Sequence, residues 1–190
     1  VDILRSLKLD EKVFDARAVM NTISRAKDNL ISPKAYAAEV KDDYYKGKIA
    51  EIYTLYQKAL KNANALDFDD IIFKTVQLLR QNEDVLSYYQ DKFRYVLVDE
   101  YQDTNHAQYV LTSLLAGGHH NICVVGDDDQ SIYKFRGATI ANIFEFEHQY
   151  QNAGTIRLEQ NYRSPHTILC AANEIIRHNQ YRKGKELWTE

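Results

Sequence analysis

Nine residues, Tyr95-Val-Leu-Val-Asp-Glu-Tyr-Gln-Asp103, constrain this chain more than any other stretch, because an apolar run stops abruptly at two adjacent acids. Four consecutive apolar residues, three of them aromatic or β-branched, predict a short strand covered on both faces, as in parallel sheets. Ligands of open α/β sheets bind beyond the carboxyl ends of such strands, which is where Asp99 and Glu100 fall. A hard cation takes oxygen donors and a water nucleophile needs a nearby acceptor, so the pair suits a magnesium ligand and a general base. A strand end with two solvated acids has the same sequence. A second strand, Ile122-Cys-Val-Val125, ends in Gly126-Asp-Asp-Asp-Gln-Ser-Ile-Tyr-Lys-Phe-Arg-Gly-Ala138, and a third follows in Thr155-Ile-Arg-Leu-Glu-Gln-Asn-Tyr-Arg-Ser164. Between the first two, Ala107, Val110, Leu111, Leu114 and Leu115 lie on one helical face that Gly117-Gly118 closes. That order predicts a right-handed parallel crossover.

The N-terminal third reads as helices without chemistry. Asp10 can cap a helix whose face is Val13, Ala16, Met20 and Ile23, and Asn29 to Pro33 breaks it. Ser32-Pro33 suits the start of the next helix. A long amphipathic stretch then carries Ile49, Ile52, Tyr53, Tyr56 and Leu60 on one side. Tyrosines 36, 44, 45, 53 and 56 have aromatic faces for bases, but their helical spacing reads as core and rim. In Ala65-Leu-Asp-Phe-Asp-Asp-Ile-Ile72, Asp67 is an N-cap and Asp69 and Asp70 sit in a first turn that favours negative charge, with Ile72, Val76 and Leu79 as the buried stripe.

Composition sets outer bounds. With 190 residues, 45% hydrophobic and 27% charged, the chain suits one compact domain or a domain with an appendage. It has no run near the ~20 apolar residues of a membrane span and no signal layout at its start, which points to a cytoplasmic location without membrane partners. The two cysteines, Cys123 and Cys170, fall in apolar segments and read as buried free thiols. Net charge is −3, which excludes a wholly electrostatic nucleic-acid binder, but its distribution is uneven. Residues 1–64 carry 12 Lys and Arg against 9 Asp and Glu, and residues 65–190 carry 12 against 18. His119-His120 reads as a loop, since no further Cys or His completes a zinc set.

Taken together, Asp99 to Asp103, Gly126 to Ala138 and Leu158 to Ser164 resemble motifs II, III and IV of superfamily 1 helicases of the UvrD/Rep/PcrA type, in the right order. The resemblance implies an α/β fold: part of a RecA-like (P-loop NTPase) parallel sheet flanked by helices, with a helical N-terminal insertion. It implies boundaries as well, with 1–64 the insertion, 65–163 part of the first motor domain and 164–190 the start of the second. ATP and Mg2+ become the expected cofactors, and single-stranded and duplex DNA the expected partners, beside repair or replication proteins. By resemblance Asp99 holds magnesium, Glu100 activates water and Gln130 senses the γ-phosphate. Tyr162 stacks on adenine, and Arg163 grips the γ-phosphate as an arginine finger. Tyr133, Phe135 and Arg136 face single-stranded DNA, where an aromatic ring stacks on any base. The family's usual residue at position 135 is tryptophan, so phenylalanine offers a smaller face.

The departures also carry expectations. There is no Gly-x-x-x-x-Gly-Lys-Ser/Thr, and the later family motifs are missing, so the chain looks like the interior of a helicase whose isolated piece is a poor enzyme. Two alternatives share these motifs: the helicase portion of a recombination nuclease-helicase, and a non-catalytic DNA-binding module. A third, a metal nuclease built on Asp127-Asp128-Asp129, rests on those acids alone.

Overall fold

A computed structural model describes the chain apart from residues 134–136, 138–140 and 179–184 and the side chains of Ala141 and Phe144. Its elements in order are α1 (Asp2–Ser6), α2 (Ala16–Asp28), α3 (Pro33–Glu39), α4 (Tyr44–Asn62), α5 (Phe68–Gln81), α6 (Glu83–Lys92), β1 (Val96–Val98), α7 (His106–Ala116), β2 (Ile122–Val124), α8 (Ala141–Gln149) and α9 (His166–Ile176). They form two compact units, Val1–Leu97 with Thr104–Cys123, and Val98–Asp103 with Val124–Glu190. No helix among the described residues is long and apolar enough to cross a membrane.

The first unit is helical, and its core is Leu4, Phe14, Val19, Ile23, Ala26, Ile49, Ile52 and Tyr53. α2 packs on α4, α5 and α7, so helices on both sides of residue 64 share this unit. The α2 register differs from the expected one. Asp15, not Asp10, is the cap, accepting from the Ala18 amide, while Asp10 accepts from the Lys12 amide in the preceding turn. Val13 and Met20 consequently face solvent, and Val19, Ile23 and Ala26 form the buried stripe. α4 buries Ile49, Ile52 and Tyr53 as its periodicity predicts, and Tyr45 stacks on Phe14 with centroids 4.8 Å apart. The tyrosine expectation therefore holds for Tyr36, Tyr53 and Tyr56, while Tyr44 and Tyr45 are exposed.

At the start of α5, Asp67 accepts from the Asp70 amide at 2.8 Å, as a cap should. Capping is not its whole role. The fully buried Lys27 ammonium donates to Asp67 Oδ2 at 2.6 Å and lies 3.1 Å from Asp70 Oδ1. Tyr56 and Gln57 add hydrogen bonds to Asp67 and Asp70. Burial pushes the Asp67 carboxyl up, but the bonds from Lys27, the Asp70 amide and Tyr56 outweigh it and hold it below its ordinary value.

α7 opens with a capping box, Asn105 with Gln108. The glycines after it serve close packing instead of a left-handed cap: Gly117 is helical, and a Cβ on Gly118 would lie 2.8 Å from the Cβ of Gln90. Gln90 in turn donates to the Leu114 carbonyl at 2.8 Å. His120 takes the left-handed conformation, at φ 55°, in the loop expected there.

β1 and β2 pair in parallel, with the Val96 amide on the Asn121 carbonyl and the Val125 amide on the Val98 carbonyl. The strands are less covered than predicted. Leu97 is 77% exposed, and Cys123 points outward from β2 as Leu97 does from β1, so one side of the ribbon faces solvent. Cys170 is exposed on α9, and both thiols are free, which corrects the expectation of buried ones. The third predicted strand is absent among the described residues. Thr155 to Glu159 is irregular, with Ile156 and Leu158 exposed, and Gln160 forms one isolated parallel bridge to Trp188. Ser164 does not cap α9 with its side chain; its amide donates to Asn161 Oδ1 instead. On α9, Leu169 is buried while Ile168 and Ile175 are exposed.

Candidate functional site

The first cluster of predicted residues follows directly on β1 in the second unit. Asp99 and Glu100 are both exposed, and Asp99 Oδ1 accepts from the Glu100 amide at 2.9 Å. Glu100 has φ 48°, a left-handed backbone that a non-glycine residue seldom adopts. Strain of this kind persists only where the surroundings over-determine it. The chain then turns through a 3-10 segment, Tyr101–Asp103, that anchors the unit: Tyr101 and Gln102 are buried, and Tyr101 meets Phe146 of α8 edge to face.

Gln102 joins this strand end to the next. Its Nε2 donates to Glu100 Oε2 at 2.7 Å, and its Oε1 accepts from the Asp127 amide at 2.9 Å. Asp127 caps a second 3-10 segment, Asp128–Gln130, through a 3.0 Å bond from the Asp129 amide. Its other oxygen accepts from Gln130 Nε2 at 2.6 Å. Glu100 and Gln130, 30 residues apart in sequence, thus lie on one hydrogen-bonded path.

Two cation positions follow from the carboxylates. Asp99 has one oxygen engaged by an amide and is exposed, which suits a single ligand position for a magnesium ion that keeps most of its waters. Asp127, Asp128 and Asp129 also bring ligand oxygens within 4.8 Å of one another. The Lys185 ammonium already sits there, bonded to Asp127 and 3.4 and 3.8 Å from carboxylate oxygens of Asp128 and Asp129. Burial raises the Asp127 carboxyl, yet the bonds from Lys185 and Gln130 outweigh it and hold it below its ordinary value. A tethered lysine in the middle of the three acids does not fit the metal-nuclease alternative.

Of the remaining predicted residues, Tyr162 and Arg163 make their hydrogen bonds within the 160–163 segment. Tyr133 is partly exposed. Tyr162 is 86% exposed and donates to Gln160 Oε1 at 2.7 Å. The Arg163 amide is held by Asn161 Oδ1 at 2.9 Å, and its exposed guanidinium has no acidic partner among the described residues. Phe135 and Arg136 lie outside the described residues.

Sequence reasoning missed three features. Gln102 was legible only as part of a motif, although a polar residue amid a buried turn is a signal in itself. Lys185 gives no local signal, being 58 residues from Asp127. Phe68 is 90% exposed at the first position of α5, and capping by its neighbours does not account for a bare aromatic ring there.

The family model of the UvrD/REP helicase N-terminal domain matches residues 1–151. The chain is similar to the ATP-dependent DNA helicase PcrA of Bacillus subtilis (strain 168), 52% identical over 188 residues, which is 99% of this chain and 25% of that protein. Proteins of the same name from Staphylococcus aureus (strain Mu50) and Staphylococcus epidermidis are 52% and 50% identical, again over 99% of this chain and 26% of theirs. The chain therefore spans about a quarter of the length of these relatives. With its motif residues on the two strand ends and most of its length within the family's match, the chain belongs to the UvrD/REP helicase family.

Proposed function

We propose that the full-length protein carrying this chain is an ATP-dependent DNA helicase, a cytoplasmic motor that couples ATP hydrolysis to movement along single-stranded DNA and unwinding of duplex in repair or replication. The observation that carries this reading is the path from Glu100 through Gln102 and Asp127 to Gln130, in a chain half identical to proteins bearing that name. The parallel β1 and β2, with α7 between them, support part of a RecA-like motor sheet. Residues 1–64 are then a helical insertion, 65–163 part of the first motor domain and 164–190 the start of the second.

Each side chain has a task in this reading. Asp99 would hold the magnesium that accompanies ATP and screens its phosphate charge. Glu100 takes a proton from the attacking water, for which its exposed carboxylate is available. Gln130 reports on the γ-phosphate, Tyr162 offers an open ring to adenine, and the exposed Arg163 fork neutralises charge that develops during transfer. Tyr133, with Phe135 and Arg136, supplies a stacking and phosphate-contacting surface for single-stranded DNA, and the exposed Phe68 is a further ring of that type.

The test uses the full-length protein with single-stranded DNA. Glu100→Gln should keep nucleotide binding while phosphate release falls by roughly 10²–10⁴-fold, because the amide preserves shape and loses basicity. Asp99→Asn should weaken the magnesium-dependent part of nucleotide binding. Normal turnover by both variants would falsify the assignment.

A further inference from the structure

Gln102 is 1% exposed, and both ends of its amide are used: the nitrogen on Glu100 and the oxygen on the Asp127 backbone. An amide is the side chain that offers a donor and an acceptor on one rigid plane; a carboxylate would supply acceptors alone and an aliphatic chain neither. Its orientation is dictated by the partners, since the flipped amide would set oxygen against a carboxylate and N–H against N–H. The surroundings are built closely around it. A Cβ on Gly126 would come 3.0 Å from Gln102 Oε1, so a glycine is what lets the second strand end approach. The Asp127 it holds is in turn the acceptor for Gln130 and Lys185. At the other end the amide engages a glutamate whose backbone sits at φ 48°.

We propose that Gln102 is a positioning residue that aims the Glu100 carboxylate and ties that aim to the Asp127–Gln130 turn. This rests on the reading of Glu100 as general base and Gln130 as γ-phosphate sensor. Any movement of the Gln130 turn that carries the Asp127 backbone with it pulls on the same amide that holds the base. Nucleotide state is thereby coupled to readiness for hydrolysis through one buried side chain.

DNA-stimulated phosphate release by the full-length protein, measured from about pH 5.5 to about pH 9 for wild type, Gln102→Glu, Gln102→Ala and Glu100→Gln, tests the idea. Rates are taken per molecule competent to bind nucleotide, so loss of folded protein does not count as loss of chemistry. Gln102→Glu sets a carboxylate against Glu100, and like charges in contact favour protonation of the base. The acidic limb of the kcat profile should move to higher pH, with kcat falling most at the acidic end of the range, recovering at high pH, and an ATP KM within about 2-fold. Gln102→Ala should lower kcat roughly 10–100-fold without that recovery. If both variants keep the wild-type kcat and limb, even with a lowered melting temperature, while Glu100→Gln abolishes turnover, Gln102 is structural and the proposal is overturned alone. Wild-type turnover by Glu100→Gln overturns the general-base reading itself, and the proposal with it.

Discussion

Two regions handle ionic groups in opposite ways. In the helical unit, Lys27 is withdrawn completely from solvent against Asp67, Asp70 and the Tyr56 ring, with Tyr56 and Gln57 hydrogen-bonded to the two acids. At the ends of β1 and β2, Asp99, Glu100 and Gln130 stay exposed, and beyond them the Arg163 guanidinium has no acidic partner among the described residues. A buried charge is tolerable only when paired and hydrogen-bonded, so the first arrangement uses its charges on the fold, although Gln57 Oε1 and Asp70 Oδ2 stay buried without a hydrogen-bond partner among the described residues. The second leaves capacity free and holds Glu100 in a strained backbone, which suits the ligand site proposed there. Mutation in the first region should therefore appear as lost stability, and mutation in the second as lost chemistry.

The largest expected effect lies on the exposed side. Arg163→Ala in the full-length protein should reduce DNA-stimulated ATP hydrolysis by about 10³–10⁵-fold while stability stays within ~0.5 kcal/mol, because the guanidinium supports no described contact. Phosphate release alongside a melting curve checks it; a large fall in melting temperature with near-normal turnover would reverse the comparison for this residue.

On the buried side, Lys27→Met removes the cation that pairs with two acids and should lower unfolding free energy by ~3–5 kcal/mol. Turnover per folded molecule should be unaffected. Adding Asp67→Asn and Asp70→Asn should recover much of the loss, since no uncompensated charge then remains buried. Denaturant midpoints of the three proteins would sharpen the contrast, and a loss under ~1 kcal/mol for Lys27→Met would break it.

The smallest effect concerns pH. Burial, and then the charge of Asp69, pushes the Asp28 carboxyl up to about 6, while the Asn105 amide donates to it at 2.7 Å. Its ionised form is disfavoured in the folded state, so its contribution to stability is fully present below about pH 4 and lost as pH rises to about 6. Asp67, held below its ordinary value, contributes with the opposite sign: its stabilisation is lost as pH falls below about 3.8. Asp28→Asn keeps an acceptor for Asn105 and should raise stability at pH 7 by less than ~1 kcal/mol after solvent screening, with no gain at pH 4. Denaturation curves at the two pH values decide it; an equal change at both would mean that Asp28 does not titrate as described.

Part of this was legible in advance. The 3–4 spacing of Ile49, Ile52, Tyr53 and Tyr56 places the α4 face, and Asp67 as a cap places the start of α5. Local rules failed where two residues satisfied them equally. Asp10 and Asp15 are both good caps, and the choice of Asp15 rotates α2 so that Val19 replaces Met20 in the core. Gly117-Gly118 close α7 as the sequence suggests, but their close packing on Gln90 leaves no local trace.

The sequence by itself determined the family, the motif order, the parallel strand–helix–strand arrangement and the identity of the exposed acids, because each of these is written in contiguous residues. Only the tertiary structure decided which acids are consumed and which are free. Lys27 meets Asp67 across 40 residues and Lys185 meets Asp127 across 58, and nothing in either neighbourhood announces the partner. Gln102 belongs to both classes: its type and place are plain in the motif, but its work requires the Asp127 amide, 25 residues on, to arrive within 2.9 Å. Periodicity and caps are local properties of a chain, whereas the pairing of a buried charge depends on which distant segment the fold brings against it.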